Sequence, residues 1–306
     1  MTYIKSNIFL TQLILQFILT GLFSLFYIDQ RLQAVFCGIL LCVIGIPHGS
    51  NDYLYRPDQS VLGMFKFLAI YIGTMAVYAM LWWFMPLFAL ALFFIISFHH
   101  FGQSNFENES WWYLPSWLWG LWILTLPVLL HFNEALAIFQ QMIDPNHPID
   151  SLMSYPPSVE LIKTWQWVTS ICLGLVYMVV IFLYQPQNKL FYYAQFAAVT
   201  VWYIVTPLFV GFITVFSLWH SLQSFRHQSE YFQLRYKKGL WSFIKAMLPF
   251  SLLALSAFAL YIYFWDFKTP EAFILLSLIT LPHVLVMHNL YHHSHGQAQN
   301  DYTTLS

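Results

Sequence analysis

Ten stretches of this chain consist almost entirely of apolar residues and have the length of a membrane-spanning helix, which needs about 20 residues. Lipid leaves unpaired backbone groups unsatisfied, so only helices and closed barrels cross a membrane. Runs such as 87–98 do not alternate between polar and apolar residues as barrel strands do. We therefore predict an all-α, polytopic transmembrane helical bundle. The stretches are 8–28, 32–48, 61–84, 86–101, 115–132, 162–184, 190–206, 207–225, 243–265 and 271–290.

Two of these stretches leave the number of spans open between eight and ten. The stretch 32–48 is short for a span, and Pro207 indicates either a turn or a kink between the seventh and eighth stretches. Long polar segments that would separate domains are missing between the stretches. We expect one integral-membrane domain over 1–306.

Charge is scarce in this chain, and this excludes several classes of protein. Only 8% of its 306 residues are charged, whereas soluble domains carry roughly 25%. That content excludes a soluble enzyme and a disordered chain, and the net charge of −1 gives no field for a nucleic-acid partner. The chain has 12 His residues, as many as Lys and Arg together, so histidine is unusually frequent for so apolar a chain.

The distribution of basic residues predicts the orientation of the spans. With ten spans and a cytoplasmic N-terminus, the basic residues before span one, between spans two and three, between spans six and seven, and between spans eight and nine fall on the cytoplasmic side, as the positive-inside rule requires. The loop 133–161 holds no Lys or Arg and is expected outside, while a short tail over 292–306 is expected in the cytoplasm. We expect a bacterial inner-membrane protein with both termini cytoplasmic. The densest basic group is Arg226, Arg235, Lys237, Lys238 and Lys245.

Four histidines recur at the same depth on four spans that run in the same direction. His48, His100, His220 and His283 each follow the start of an even-numbered span by 12–16 residues, which corresponds to about 18–24 Å along a helix. Polar groups inside a membrane are costly and are usually functional. The pattern predicts one metal site with four imidazole ligands. Such ligands suit iron, zinc or copper, and the apolar surroundings favour iron acting with O₂.

The residues around these histidines support the grouping. Proline precedes both His48 and His283, and a proline within a span kinks the helix. His100 and His220 share the pattern S-x-x-H-x-x-Q-S, whose Gln and Ser could orient a ligand or bind water. Asp52 lies four residues after His48 and could accept a hydrogen bond from an imidazole N–H.

The remaining histidines have simpler interpretations. A single His in an apolar span is more often a packing residue than a metal ligand. His131 and His147 fall on the outer side, and His227 lies about 10 Å along a helix from His220. His288 could chelate together with His292, four residues later, but we expect His292, His293 and His295 to lie in a solvated tail.

Four short motifs together resemble a known family. They are Pro47-His48-Gly49 with Asp52, His100-Phe101-Gly102, Trp219-His220-Ser221 and Leu281-Pro282-His283. In their order along the chain they resemble the bacterial Brp/Blh family of β-carotene 15,15′-dioxygenases. The resemblance implies an iron-dependent membrane enzyme that splits β-carotene with O₂ into two retinal molecules, often for a rhodopsin. It also implies that His48, His100 and His220 are both catalytic residues and Fe²⁺ ligands.

Two positions depart from the family pattern. The family tends to have a second His four residues after the W-H-S motif, and this chain has Ser224 there. An acidic residue expected after H-F-G is Asn105 here. The fourth ligand is therefore His283 on grounds of depth, His227, or none.

Three other functions remain open from the sequence. A di-iron hydroxylase or desaturase would need clustered histidine boxes, which only the stretch from His288 to His295 resembles. A haem-binding electron carrier would need axial His pairs on facing helices. A non-catalytic carotenoid- or retinal-binding protein or transporter would need only an apolar pocket. Phe-rich stretches such as Phe93-Phe94 fit a tunnel for a conjugated hydrocarbon, although Phe also commonly faces lipid.

Overall fold

The computed structural model describes residues 2–106, 113–144, 159–186, 188–265 and 269–303, and this part of the chain is helical without any β-strand. Its helices are α1 (Thr2–Leu25), α2 (Gln30–Tyr55), α3 (Val61–Phe84), α4 (Pro86–Phe106), α5 (Leu114–Leu130), α6 (Phe132–Ile143), α7 (Val159–Tyr184), α8 (Lys189–Val205), α9 (Leu208–Tyr236), α10 (Leu240–Trp265) and α11 (Thr269–Thr303).

All ten predicted apolar stretches are helices. Eight helices in the described ranges are long and apolar enough to cross a membrane. A ninth span results if α5 and α6, which are bent by 103° at their junction, count as one broken span. Helix α8 has only 17 residues, because it ends before the break at Thr206 and Pro207. The predicted all-α polytopic bundle is thus confirmed.

Helix α6 occupies the first part of the predicted outer loop 133–161. Its residues Ala135, Ile138, Phe139 and Met142 follow helical spacing and form an apolar face. That face packs against apolar side chains of α4 and α11, which explains why this segment is helical and not an irregular loop. Residues 145–158 of the predicted loop lie outside the described residues. The backbone of the predicted tail continues as helix α11 to Thr303.

Two helices contain a wider, π-helical turn beside a predicted metal ligand. In α2 this turn covers Leu41–Gly45 and ends three residues before His48. In α9 it covers Phe216–Ser221 and includes His220. The two turns pack together, so closely that a Cβ on Gly45 would lie 3.1 Å from Cε1 of Phe216. Turns of this kind are frequent at functional sites because they redirect side chains.

Helices α4 and α5 approach each other at two glycines. A Cβ on Gly102 would lie 1.8 Å from the carbonyl oxygen of Ser116, and a Cβ on Gly120 would lie 1.8 Å from that of Phe98. Small residues allow such close backbone packing in membrane bundles, where lipid supplies no hydrophobic force between helices. The contact fixes α4, and therefore His100, against the bundle.

We expect Gly102→Ala to destabilise the protein, because the new methyl group would overlap backbone atoms that cannot rotate away. Overpacking a core typically costs about 1–3 kcal/mol, and rigid backbone should place this variant at the upper end. The matched control is Gly38→Ala on α2, where nothing lies within 4 Å of the added Cβ. Thermal unfolding of the purified protein in detergent measures both. A Gly102→Ala variant that melts like the unmodified chain would contradict the close approach.

Candidate metal centre

The rings of the four predicted ligands meet in the interior of the bundle. The ring centroid of His48 lies 5.3 Å from that of His220 and 5.1 Å from that of His283. The ring of His100 lies 4.7 Å from His220 and 5.1 Å from His283. The four side chains come from α2, α4, α9 and α11 and are at most 5% exposed. The four histidines that the sequence predicts at one depth in the membrane are thus brought together by helices that lie far apart in the sequence.

Three of the four imidazoles have their Nδ1 atom held by a neighbouring group. His48 Nδ1 bonds the carbonyl oxygen of Gly45 within the same helix. His220 Nδ1 lies 3.0 Å from Oγ of Ser104, and His283 Nδ1 lies 2.9 Å from Oδ1 of Asp52. A carbonyl or carboxylate oxygen only accepts, so Nδ1 of His48 and His283 carries the proton. Their Nε2 atoms are then the nitrogens with a free lone pair.

The unsatisfied ring nitrogens are the most telling feature of the cluster. In the described part of the chain, neither nitrogen of His100 has a hydrogen-bond partner, and neither does Nε2 of His283. All three atoms are buried. Buried polar atoms without partners are rare in proteins and call for an explanation such as an ion or water. A metal ion would satisfy these nitrogens.

The imidazole that Asp52 contacts is that of His283, on a distant helix. Asp52 lies four residues after His48, yet both of its carboxylate oxygens contact Nδ1 of His283 on α11, at 2.9 and 3.0 Å. The hydroxyl of Tyr71 on α3 donates to Oδ2 of Asp52 at 3.0 Å. The reason is that the regular helix ends at Ser50 and a tighter turn over Asp52–Tyr55 follows. A carboxylate that holds the second nitrogen of a ligand fixes its orientation.

The two S-x-x-H-x-x-Q-S motifs support each other across the α4–α9 interface. Ser104 of the first motif bonds His220 of the second. In return, Nε2 of Gln223 in the second motif donates to Oδ1 of Asn105, next to the first, at 3.1 Å. Asn105 also exchanges two hydrogen bonds with Gln195 on α8. The residue at the expected acidic position is therefore part of a neutral amide network, which the sequence did not reveal.

Among the candidates for a fourth ligand, the geometry favours His283. It contacts both His48 and His100. His227 is also buried, but its Nε2 lies 2.6 Å from Nη2 of Arg226, which donates to it. Ser224 is fully buried and its hydroxyl has no hydrogen-bond partner in the described residues.

The remaining histidines lie elsewhere. His99 contacts Trp117 and lies 6.4 Å from the ring of His288. His131 ends α5 at the bend toward α6. His147 and the side chains of His292, His293 and His295 lie outside the described residues, so the predicted solvated tail stays a prediction.

A narrow apolar cavity of about 70 Å³ lies beside the cluster. Three helices that carry predicted ligands line it one turn away from the histidine: Ser97 before His100, Phe216 before His220 and Thr280 before His283. Phe101, which also lines it, stacks on the ring of His220 at 4.1 Å. Most of its remaining wall is aromatic or aliphatic. The face of α6 that includes Ala135, Ile138, Phe139 and Met142 also lines the cavity.

The four rings do not yet form a closed metal centre. In the described ranges no three His, Cys, Asp or Glu side chains are arranged so that they could hold a metal ion as they stand. The contacts between the rings also argue against haem, because imidazoles at 4.7–5.3 Å leave no room for a porphyrin between them.

Residues 39–291 match the family model described as Beta-carotene 15,15'-dioxygenase. This chain belongs to the β-carotene 15,15′-dioxygenase family. A curated relative, the beta-carotene 15,15'-dioxygenase of uncultured marine bacterium 66A03, is 28% identical over 207 residues. That similarity covers 62% of this chain and 67% of the relative. No solved structure matches the chain.

Membership of this family confirms the family resemblance that the four short motifs indicated. It also confirms the predicted class of enzyme, a carotenoid-cleaving dioxygenase. The matched range contains all four histidines of the cluster as well as Asp52 and Tyr71.

We expect Asp52→Leu to lower the free energy of unfolding by about 2–4 kcal/mol, because it leaves the donors of His283 and Tyr71 buried without an acceptor. Tyr71→Phe alone should cost about 1 kcal/mol, the net value of one hydrogen bond. In the Asp52→Leu background the same Tyr71→Phe change should be nearly neutral or stabilising, since it removes an orphaned hydroxyl. Denaturant titrations in micelles measure this cycle, and additive effects of the two changes would contradict the chain of hydrogen bonds.

Proposed function

We propose that this chain cleaves β-carotene, or a related carotenoid, centrally to retinal with O₂, using Fe²⁺ held by His48, His100, His220 and His283 within the membrane. The observation that carries the proposal is a cluster of four buried imidazoles beside an apolar, Phe-lined cavity. The cluster supplies the donors for a redox metal, and the cavity supplies the surroundings for an oily polyene.

The cluster fits a metal ion in donor type, burial and spacing. Imidazoles bonded to one first-row metal at about 2.1 Å place neighbouring ring centroids roughly 4.6–5.3 Å apart. The contacting pairs here lie 4.7–5.3 Å apart. Closing the site then requires side-chain rotation and not a rearrangement of helices. When bound, iron would supply the activation of O₂.

The residues around the cluster prepare its imidazoles for this role. Asp52 and the carbonyl of Gly45 each hold a proton on Nδ1 of one histidine, and Ser104 orients a third. The ring of Phe101 covers His220 and excludes water from that side. Neutral imidazoles as ligands leave the positive charge of the ion uncompensated. Asp52 adds negative charge next to His283 and raises the basicity of that ligand.

The cavity would position the polyene. Its walls have no charged side chain, and the polar side chains among them are Ser97 and Thr280. A polyene is larger than the cavity as it stands, so the lining side chains would move apart to admit it. It would then be held by apolar contact and by the faces of Phe93, Phe209 and Phe212. Central cleavage replaces one C=C bond by two C=O bonds, and each product aldehyde takes one atom of O₂. The balance therefore needs no external reductant.

The setting proposed for this chemistry is the bacterial inner membrane, with both termini in the cytoplasm and a retinal-using rhodopsin as one recipient of the product. The spans support a membrane setting by length and composition. The orientation requires that the 17-residue helices α5 and α8 also cross the membrane, which gives ten spans. In that arrangement the densest basic group, from Arg226 to Lys245, lies on the same side as Lys5, Arg56 and Lys189.

Expression in a host that makes β-carotene tests the reaction directly. We expect the colour to bleach and retinal to accumulate. Bleaching that yields longer apocarotenals would show that the enzyme cleaves a double bond away from the centre. A protein that retains bound carotenoid without consuming O₂ would overturn the enzymatic proposal in favour of the binding role, and two iron ions per chain would favour a di-iron oxygenase.

We expect His283→Ala to lower the iron content of the purified protein and to abolish retinal formation, because it removes one of the four imidazoles. His227→Ala is the matched control, since this histidine is equally buried but its Nε2 accepts from Arg226. It should keep both iron and activity. Metal analysis and product chromatography on the same preparations give the readouts, and a chelator should remove activity from the unmodified chain. The opposite ranking of the two variants would make His227 the fourth ligand.

We expect Ala135→Phe to reduce retinal formation while leaving the iron content unchanged, because the larger ring would fill the part of the cavity lined by α6. The control is Ala91→Phe on α4, whose side chain is exposed on the outside of the bundle. Initial rates at several carotenoid concentrations separate weaker binding from slower turnover. Equal rates for the two variants would show that the polyene does not use this cavity.

A further inference from the structure

A second cavity is lined in part by Tyr71, the residue whose hydroxyl donates to Asp52. It has a volume of about 630 Å³ and lies between α3, α11 and the chain around Arg56. Phe67, Ile70, Leu285 and Val286 give it apolar walls, whereas Arg56 and Arg235 line one end. Neither this cavity nor its arginines take part in the function proposed above.

The cavity continues along the outside of the bundle. It shares Ile70 and Thr74 with a groove of about 840 Å³ that is lined by Val77, Leu81 and further apolar side chains of α3. We refer to the two together as the α3–α11 groove. From Phe67 to Phe84 it follows α3 for about 25 Å, most of the roughly 30 Å thickness of the hydrocarbon core. One end is cationic and the rest is apolar.

Both guanidinium groups at the cationic end are held in place. Arg235 donates to the hydroxyl of Tyr231 at 2.7 Å and to the carbonyl of Pro57 at 3.1 Å. Arg56 donates to the carbonyl oxygens of Tyr53 and Gln59. These contacts also bring the loop after α2 against the end of α9, so two basic segments far apart in sequence form one site.

No carboxylate of the described residues forms an ion pair with either arginine. Nε of Arg56 is buried and has no acceptor in this part of the chain. Asp58, which is fully exposed, contributes only a longer-range attraction to Arg56. A buried N–H donor and two unpaired cations call for an anionic partner.

We propose that the α3–α11 groove binds an anionic phospholipid, with the phosphate between Arg56 and Arg235 and an acyl chain along α3. Only an amphiphile satisfies both ends of the groove. A carotenoid hydrocarbon and its aldehyde products carry no anionic group, so they would leave the arginines unpaired. Basic pockets between membrane helices recognise anionic head groups in this way. The bound lipid would also pack against Tyr71.

Native mass spectrometry of the full-length protein, with phosphatidylglycerol or phosphatidylcholine added in detergent, tests the proposal. We expect one tightly retained phosphatidylglycerol per chain and weaker retention of phosphatidylcholine. Arg56→Gln combined with Arg235→Gln should weaken phosphatidylglycerol retention by about 10- to 30-fold, given the usual contribution of a basic residue to anionic lipid binding. The matched control, Lys238→Gln with Lys245→Gln, removes the same charge from exposed residues outside the groove.

A second variant keeps the test independent of the arginines. Gly73 lines the groove and has nothing within 4 Å of an added Cβ, so Gly73→Phe should fill the groove without disturbing the fold and should also reduce retention. Equal retention of both lipids, unchanged retention in the arginine variant, or full displacement by water-soluble glycerol phosphate would overturn the proposal. Iron content and retinal formation are separate readouts, so failure here is distinguishable from failure of the proposed reaction.

Discussion

Burial of imidazole in an apolar bundle is the constraint on which the rest of this structure depends. A polar ring inside the protein must find its partners there, because lipid offers none. The structure meets this demand for three of the rings with Gly45, Ser104 and Asp52, and each of these partners then fixes a ring in one orientation. The nitrogens that stay without a partner are the ones that a metal would use. In His283 one nitrogen is held by Asp52 and the other is buried without a partner, so the ring is already oriented before any metal binds.

The same constraint explains how the cluster and the cavity share their helices. Each of α4, α9 and α11 presents a histidine at one level and an apolar or small polar residue one turn earlier. This helical spacing places the wall of the apolar cavity next to the cluster. The close approach of α4 and α5 at Gly102 and Gly120 keeps this alignment, because it fixes α4 at the level of His100.

Much of this arrangement could be predicted from the sequence, because helix length and histidine depth follow from residue counts alone. Counting could not show rotation about the helix axis or contacts between distant helices. For this reason Asp52 was assigned no particular imidazole, and its pairing with His283, 231 residues later, emerged only from the fold. The helix α6 was missed because the run of apolar residues there is short and amphipathic. The role of Asn105 was hidden because its amide partners come from α8 and α9.

The π-helical turns in α2 and α9 have a consequence for how such a site can change. Each turn accommodates about one residue more than a regular helical turn does, and one residue corresponds to a rotation of about 100°. The residues after Leu41–Gly45 are therefore rotated about the helix axis, relative to the residues before it, by an angle that a regular helix would not give. The same holds around Phe216–Ser221. Loss of a single residue from either turn would swing a histidine toward lipid. At these two places the spacing of the chain, and not only its composition, is under constraint.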